Sequence, residues 1–177
     1  MKSLAALAIC ASTLSAQEIP APTPGKNHEL LKQFEGTWDA TAKFILEPGK
    51  PPQESKGEET GKMTCNGLWL VFSYRGKMFD RDFEGHGQMG YDEKKGKFVG
   101  CWVDSMVTNL DVSEGSVDAT GKVFTMISES PGPDGQPVKM KQVSEIKDKD
   151  TKRLTFSMSG PDGKDLVLGT IEFRRRK

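Results

Sequence analysis

The chain has 177 residues, and its 25 lysines and arginines balance its 25 aspartates and glutamates, so the formal net charge is zero. Because nucleic-acid-binding domains usually carry a basic surplus on one face, this balance argues against a nucleic-acid partner. The length and a hydrophobic content of 35% suit a single domain with a modest core, and 19 glycines and 10 prolines predict many turns.

The N-terminal segment has the layout of a secretory signal peptide. Lys2 precedes the apolar run Leu4–Leu14, which is followed by small residues. This run is too short to cross a bilayer, and we expect no integral membrane span in the rest of the chain. We predict that residues 1–16 are removed by cleavage near Ala16 and that the mature protein is secreted or periplasmic. A lipoprotein signal that uses Cys10 is the alternative.

The segment that follows predicts a linker and then a short helix. Residues 17–26 are rich in proline and predict an extended linker. Asn27 can cap a helix that ends at Phe34, with Leu30, Leu31 and Phe34 on one side. We assign residues 27–177 to one folded domain.

After this helix, segments with β periodicity alternate with turns. The first segment, Thr37–Leu46, places Trp38 and further apolar residues on one face at every second position. Asn66-Gly67 lies between two such segments and is typical of a β-hairpin turn. The predicted strands are residues 37–46, 57–65, 68–75, 79–91, 97–105, 108–118, 123–130, 138–148, 153–159 and 165–175.

These successive strands predict an all-β fold. Short connections favour an antiparallel meander, and curling the sheet until its first and last strands pair removes the exposed edges. We therefore predict a closed up-and-down barrel of about ten strands, with the short N-terminal helix as a plug over one end. A β-sandwich is the alternative. Because barrel diameter increases with strand number, ten strands should leave an interior cavity.

Two cysteines remain after removal of the signal peptide. Cys65 and Cys101 lie on the second and fifth predicted strands, which are not neighbours in a meander. A disulfide requires Cα atoms within about 7 Å. We therefore predict two separate thiols, unless both cysteines meet near one end of the barrel.

Three residues at the two ends of the predicted barrel resemble a known signature. Gly36-Thr37-Trp38, on the first strand after a short helix, resembles the Gly-x-Trp motif of the calycins, the lipocalin and fatty-acid-binding barrels. In that superfamily the tryptophan packs under a basic residue from the last strand. The resemblance implies that Arg175 covers Trp38, and that Gly36, Trp38 and Arg175 form a structural signature; such a cation over an indole ring is worth about 0.5 to 2 kcal/mol.

A further set of motifs extends from His28 to Arg175 and resembles domain of unknown function family 1579. The motifs are His28-x-x-Leu31, Gly36-Thr37-Trp38, Gly90-Tyr91-Asp92, Phe98-Val99-Gly100-x-Trp102, Ser105-Met106-x-Thr108 and Phe173-Arg174-Arg175. The resemblance implies a bacterial β-barrel, exported or cytoplasmic. It brings no established activity.

Four residues are candidate ligand contacts, namely Phe72, Tyr74, Trp102 and Asp104. We assign Leu68, Leu70, Phe72 and Tyr74 to the inward face of the third strand. Trp69 is a further candidate for pocket contact, because aromatic residues line the cavities of small barrels. Asp104 shares a face with Trp102 and would place a carboxylate beside an indole ring. The alternatives are that the aromatic residues form an ordinary core and that Asp104 caps the barrel rim or pairs with an arginine.

The sequence offers little for catalysis. With two histidines and no suitable spacing of ligands, we expect no metal site, and we interpret His86 as a strand residue near solvent. No paired nucleophile and base is visible, so we assign no catalytic residue and no cofactor, and an enzyme is disfavoured. The leading hypothesis is an exported calycin-like binding module that holds a small, largely apolar ligand in its barrel. The alternative is a non-enzymatic structural or interaction protein of the cell envelope with a side-chain-filled barrel.

Overall fold

The computed structural model describes residues 21–47, 49–131, 135–159 and 164–177. The predicted signal peptide lies outside these residues, as do residues 17–20 of the predicted linker. Within the described ranges, no helix has the length and apolar character needed to cross a membrane.

The described residues form ten antiparallel strands that close into one barrel. The strands are β1 (Gly36–Phe44), β2 (Gln53–Thr64), β3 (Trp69–Met78), β4 (Arg81–Asp92), β5 (Lys97–Asp104), β6 (Asp111–Val117), β7 (Val123–Pro131), β8 (Pro137–Ile146), β9 (Thr151–Ser159) and β10 (Asp165–Arg175). Each strand pairs with its neighbours in the chain, and β1 also pairs with β10. The predicted up-and-down barrel is confirmed, and the β-sandwich alternative is wrong.

Two hairpin turns differ from their predicted limits. Between β3 and β4, Phe79 and Asp80 both have positive φ, 52° and 60°, so the turn occupies residues that the sequence assigned to a strand. A two-residue turn of this kind matches the right-handed twist of its flanking strands, although a phenylalanine is unusual there. The predicted hairpin at Asn66-Gly67 is present, but its turn begins one residue earlier and forms the 3-10 segment Cys65–Gly67.

The N-terminal helix consists of α1 (Lys26–Leu31) and a 3-10 turn, Lys32–Phe34. Gly25, not Asn27, is the residue that precedes the first turn, so the prediction for the cap is wrong. The Gly25 amide donates a hydrogen bond to Nδ1 of His28 at 3.0 Å. A histidine three residues into the helix therefore takes over the role expected of a polar cap.

The helix closes one end of the barrel, as predicted. Leu31 and Phe34 are buried there against inward-facing residues of the strands, and together they form a hydrophobic cluster. The Phe34 ring meets Phe124 edge to face at a centroid distance of 5.0 Å, and Phe124 meets Phe98 in the same way at 5.2 Å. Aromatic packing therefore closes the barrel beneath the helix.

The ends of the chain meet where β1 pairs with β10. Trp38 is directly opposite Arg175 in the register, and Cζ of Arg175 lies 3.9 Å from the centroid of the Trp38 ring. Gly36 has a φ of +108°, and a β-carbon at this position would lie 2.5 Å from Nη1 of Arg175. Gly36 is therefore required both by its backbone conformation and by the close approach of the guanidinium group.

Cys65 and Cys101 are both free thiols, as predicted. Cys65 is exposed in the turn before β3, whereas Cys101 is half-buried on β5. The barrel therefore depends on packing and strand pairing in its described part, without a disulfide between these two residues.

Candidate functional site

A cavity of about 350 Å³ occupies the half of the barrel away from the helix. It lies among residues at the far ends of the strands, such as Phe44 on β1 and Met78 on β3, and the exposed residues Met106 and Val107 belong to its rim. Its volume lies within the range of small-molecule binding sites. The cavity that the strand number predicted is therefore present.

Glycines on the inner faces of the strands provide the space for this cavity. Gly87 on β4 is paired with Phe72 on β3, and a β-carbon at Gly87 would lie 2.6 Å from Cζ of Phe72. A β-carbon at Gly85 would likewise lie 2.6 Å from Cη2 of Trp102, on the neighbouring strand β5. Because these positions lack a side chain, the rings lie against the wall and the centre of the barrel stays open.

All four candidate ligand contacts line the cavity. Tyr74 is buried and meets Phe83 edge to face, while Phe72 and Trp102 are half-buried. The rings of Phe72 and Trp102 stack with a centroid distance of 5.8 Å and an interplanar angle of 22°. The result is a flat aromatic surface on the inside of β3 and β5.

Trp69 lies on the opposite face of β3 and is not among the residues that line the cavity. It pairs with Gly90, and a β-carbon at Gly90 would lie 2.7 Å from Cε3 of the Trp69 ring. The indole therefore covers a glycine on the outside of the barrel. Side chains alternate between the two faces of a strand, so Trp69 and Leu70 cannot both point inward.

Asp104 holds the Trp102 indole in place at the rim of the cavity. Its Oδ2 accepts a hydrogen bond from Nε1 of Trp102 at 2.9 Å, and its Oδ1 accepts one from the Met106 amide at 2.8 Å. Both donors are neutral. The sequence left open whether Asp104 caps the barrel rim or pairs with an arginine, and this geometry corresponds to capping of the rim. Asp104 also borders the cavity.

A buried ion pair lies deeper in the barrel, and sequence reasoning missed it. The Lys152 side chain is 4% exposed, and its Nζ contacts Oε1 of Glu59. The same ammonium group lies 4.5 Å from the ring centroid of Trp38, 4.6 Å from that of Phe173 and 5.1 Å from that of Phe34. Burial lowers the pKa of Lys152, and the Glu59 carboxylate opposes this effect.

A signal for this lysine was present in the sequence. Lys152 stands two residues before Leu154 and four before Phe156, so it continues the inward period of β9. The charged segment 147–152, to which it belongs, is nevertheless typical of a solvated turn. An inward-facing lysine needs a partner, and Glu59 on β2 is the corresponding polar residue in an inward position.

A smaller chamber of about 70 Å³ lies beside this ion pair and shares lining residues with the main cavity. Its polar lining residues are Glu59, Gln142, Ser144, Lys152 and Arg153. Of these, Glu59 and Gln142 also line the main cavity. Polar groups thus lie between the main cavity and the aromatic packing beneath the helix. Tyr74 lines the main cavity and is the register partner of Glu59, and burial together with the Glu59 charge raises the pKa of its phenol.

A third carboxylate belongs to the wall formed by β6. Asp111 is the register partner of Trp102, and its Oδ2 accepts a hydrogen bond from Oγ of Ser128 at 3.2 Å. Its Oδ1 is buried and accepts no hydrogen bond from the described residues. Ser113, two residues further along β6, lines the cavity beside it.

The two histidines do not contribute to the cavity. His86 is exposed on the outer face of β4, with its Nε2 at 3.0 Å from Oε1 of Glu84. His28 is buried in the helix and meets the Tyr91 ring edge to face. In the part of the chain that the structure covers, no three His, Cys, Asp or Glu side chains are placed to hold a metal ion.

The closed ten-stranded barrel, the helix over one end and the Trp38–Arg175 contact define a calycin-like barrel with an internal cavity. The chain belongs to the DUF1579 family, described as a protein of unknown function, whose match covers residues 23–175. The predicted family is thus confirmed.

Solved structures share this fold, and two of them match over most of their own length. Rv2717c from M. tuberculosis matches with a TM-score of 0.63 and 13% identity over 86% of this chain and 99% of its own. The S-type phycobiliprotein lyase CPES from Guillardia theta matches with a TM-score of 0.59 and 11% identity over 84% of this chain and 92% of its own. A comparison with curated proteins finds no match. At these identities the likeness concerns the fold alone.

Proposed function

We propose that the protein is an exported binding module that holds a small, largely apolar ligand inside its barrel. The observation that carries this proposal is the cavity of about 350 Å³. Phe72, Tyr74 and Trp102 present aromatic surface to it, and burial of such surface is the main source of affinity in small-molecule sites. An open interior also counts against a barrel filled by its own side chains.

The open end of the barrel offers an apolar entrance for a ligand. Met106 and Val107 are exposed at the mouth, in the connection between β5 and β6, whereas the helix covers the other end. An apolar molecule therefore meets apolar side chains at the mouth before it reaches the aromatic wall. Asp104 stabilises this entrance by fixing Trp102 and the start of the connection.

Native mass spectrometry of protein purified from its own compartment without removal of lipid tests the proposal. We expect an added mass that is lost on denaturation. In Leu154→Trp a larger side chain enters the cavity lining and should abolish this mass, whereas Val71→Trp, at an exposed position on the outer face of β3, should retain it. If the purified barrel carries nothing and does not bind the neutral probe N-phenyl-1-naphthylamine, the binding function is wrong.

Export is tested separately. The Lys2 and Leu4–Leu14 pattern supports cleavage near Ala16. Sequencing the N-terminus of protein recovered from the periplasm or medium should identify a mature chain that starts at or near Gln17. A full-length chain confined to the cytoplasm would contradict export and leave the binding proposal intact.

A further inference from the structure

The charges around the cavity do not balance at its mouth. Glu59 is compensated by Lys152 in the deep chamber, and Lys77, which lines the rim, pairs with Asp82 at 2.8 Å. Asp104 and Asp111 also line the cavity, and no described lysine, arginine or histidine forms an ion pair with either. The β5–β6 side of the cavity therefore carries uncompensated negative charge.

Of these two carboxylates, Asp111 has the greater unused capacity. Asp104 accepts two hydrogen bonds of ordinary length, whereas Asp111 accepts a single one, from Ser128 at 3.2 Å. A carboxylate has about four acceptor sites and is costly to bury without donors. Because the terminal torsion of aspartate is broad and two-fold, the side chain can turn either oxygen to the cavity.

The surroundings of Asp111 are suited to a cation attached to a flat apolar group. Its register partner is Trp102, whose ring stacks with Phe72 along the adjacent wall. Aromatic faces attract cations, and a carboxylate next to them supplies a charge-assisted hydrogen bond. An anionic ligand would meet repulsion from both Asp104 and Asp111 at the mouth.

We propose that the ligand is an apolar molecule with a protonated amine, and that this amine donates its hydrogen bond to the Asp111 carboxylate. The apolar part lies against Trp102 and Phe72. This inference rests on the proposed binding function and narrows its ligand class. It assigns Asp111 as the residue that discriminates between cationic and anionic ligands.

Three matched probes test the inference, namely 2-naphthylmethylamine, 2-naphthylmethanol and 2-naphthoic acid, which share one ring system and differ in charge. Calorimetry or fluorescence at neutral pH gives their dissociation constants with the wild-type protein. We expect the amine to bind about tenfold more tightly than the alcohol and the acid to bind most weakly. Equal affinities, or tighter binding of the acid, would overturn the inference while the binding function stands.

Asp111→Asn keeps the shape of the side chain and removes its charge. The affinity for the amine should fall about tenfold and that for the alcohol should change little. Glu114→Gln is the matched control, since Glu114 is on the same strand, faces outward and pairs with Lys95 and Lys97. An unchanged preference in Asp111→Asn contradicts the inference, and failure of all three probes and of N-phenyl-1-naphthylamine contradicts the proposed function as well.

Discussion

A β-carbon on Gly85 would lie 2.6 Å from Cη2 of Trp102 and closer still to Cζ2, so the indole lies directly on the backbone of β4. The ring is held there by its hydrogen bond to Asp104 and by its stack with Phe72. A side chain at position 85 would push the indole into the lumen. The width of the cavity at this level therefore depends on a glycine and an aromatic residue on neighbouring strands.

Gly85→Ala should displace the Trp102 ring. We expect a loss of about 1 to 3 kcal/mol in the free energy of unfolding, as for other overpacked interiors, together with a change in tryptophan emission. Urea denaturation followed by fluorescence measures both. In a Trp102→Leu background the same alanine should cost much less, because the indole atoms that it meets are gone. Equal costs in the two backgrounds would show that the ring does not rest on Gly85.

Arg175 joins the last strand to the first and to the N-terminal segment. Besides its contact with Trp38, its guanidinium group donates hydrogen bonds to the carbonyl oxygens of Gln33, Glu35 and Lys149. Arg175→Met should therefore lower the free energy of unfolding by about 2 to 4 kcal/mol. Thermal or chemical denaturation provides the measurement.

Arg174→Met is the matched control for this change. Arg174 is exposed on the outer face of the same strand, and surface substitutions usually change stability by less than about 0.5 kcal/mol. The free energy of unfolding of Arg175→Lys should lie between those of Arg175→Met and Arg174→Met. A lysine keeps the charge but lacks the several hydrogen-bond donors of the guanidinium group. If both methionine variants are equally stable, Arg175 does not close the barrel.

The overall fold could be predicted because each strand pairs with its neighbours in the chain. Turn residues between short periodic segments are local signals, and a meander of ten such segments has few alternatives. The start of β2 was missed because its inward positions include Ser55, Gly57 and Glu59, which carry no hydrophobic pattern. The neighbouring strands β1 and β3 place larger side chains in the interior beside these small and polar residues.

The candidate site was only partly predictable for a related reason. Phe72, Tyr74 and Trp102 follow the period of their own strands, and they line the cavity. Asp111 looks like a solvated residue until its register opposite Trp102 fixes the inward face of β6. Which face of a polar strand points inward depends on its neighbours, and that information is not local to its sequence.

Glu59→Gln should leave a buried ammonium group without its counter-charge. Near neutral pH we expect a loss of about 3 to 5 kcal/mol in the free energy of unfolding. Burial already lowers the pKa of Lys152 below its value in the unfolded chain, and removal of Glu59 lowers the pKa further. Unfolding then takes up a proton, so stability rises as the pH increases toward 10.5, the ordinary lysine value.

Denaturation of wild type and Glu59→Gln at a series of pH values checks this prediction. The deficit of the variant should shrink as the pH rises through the window below 10.5. The double variant Glu59→Leu/Lys152→Met replaces the pair by apolar residues and should show a smaller deficit without this pH dependence. A deficit that grows with pH would mean that Lys152 does not carry the buried charge.

Tyr74 should keep its phenolic proton above the ordinary tyrosine range. Burial raises its pKa above 10.0, and the Glu59 charge adds to this effect. Tyr91→Phe leaves Tyr74 as the sole tyrosine, so phenolate absorbance then reports on this residue alone. We expect the midpoint of the phenol titration to lie above 10 in the folded protein and near 10 in urea, while circular dichroism monitors the fold.

Because the folded state retains the phenolic proton of Tyr74, the contribution of this group to the free energy of unfolding is lost as the pH rises above 10. Coincident midpoints in the folded and denatured protein would show that Tyr74 is not buried beside Glu59.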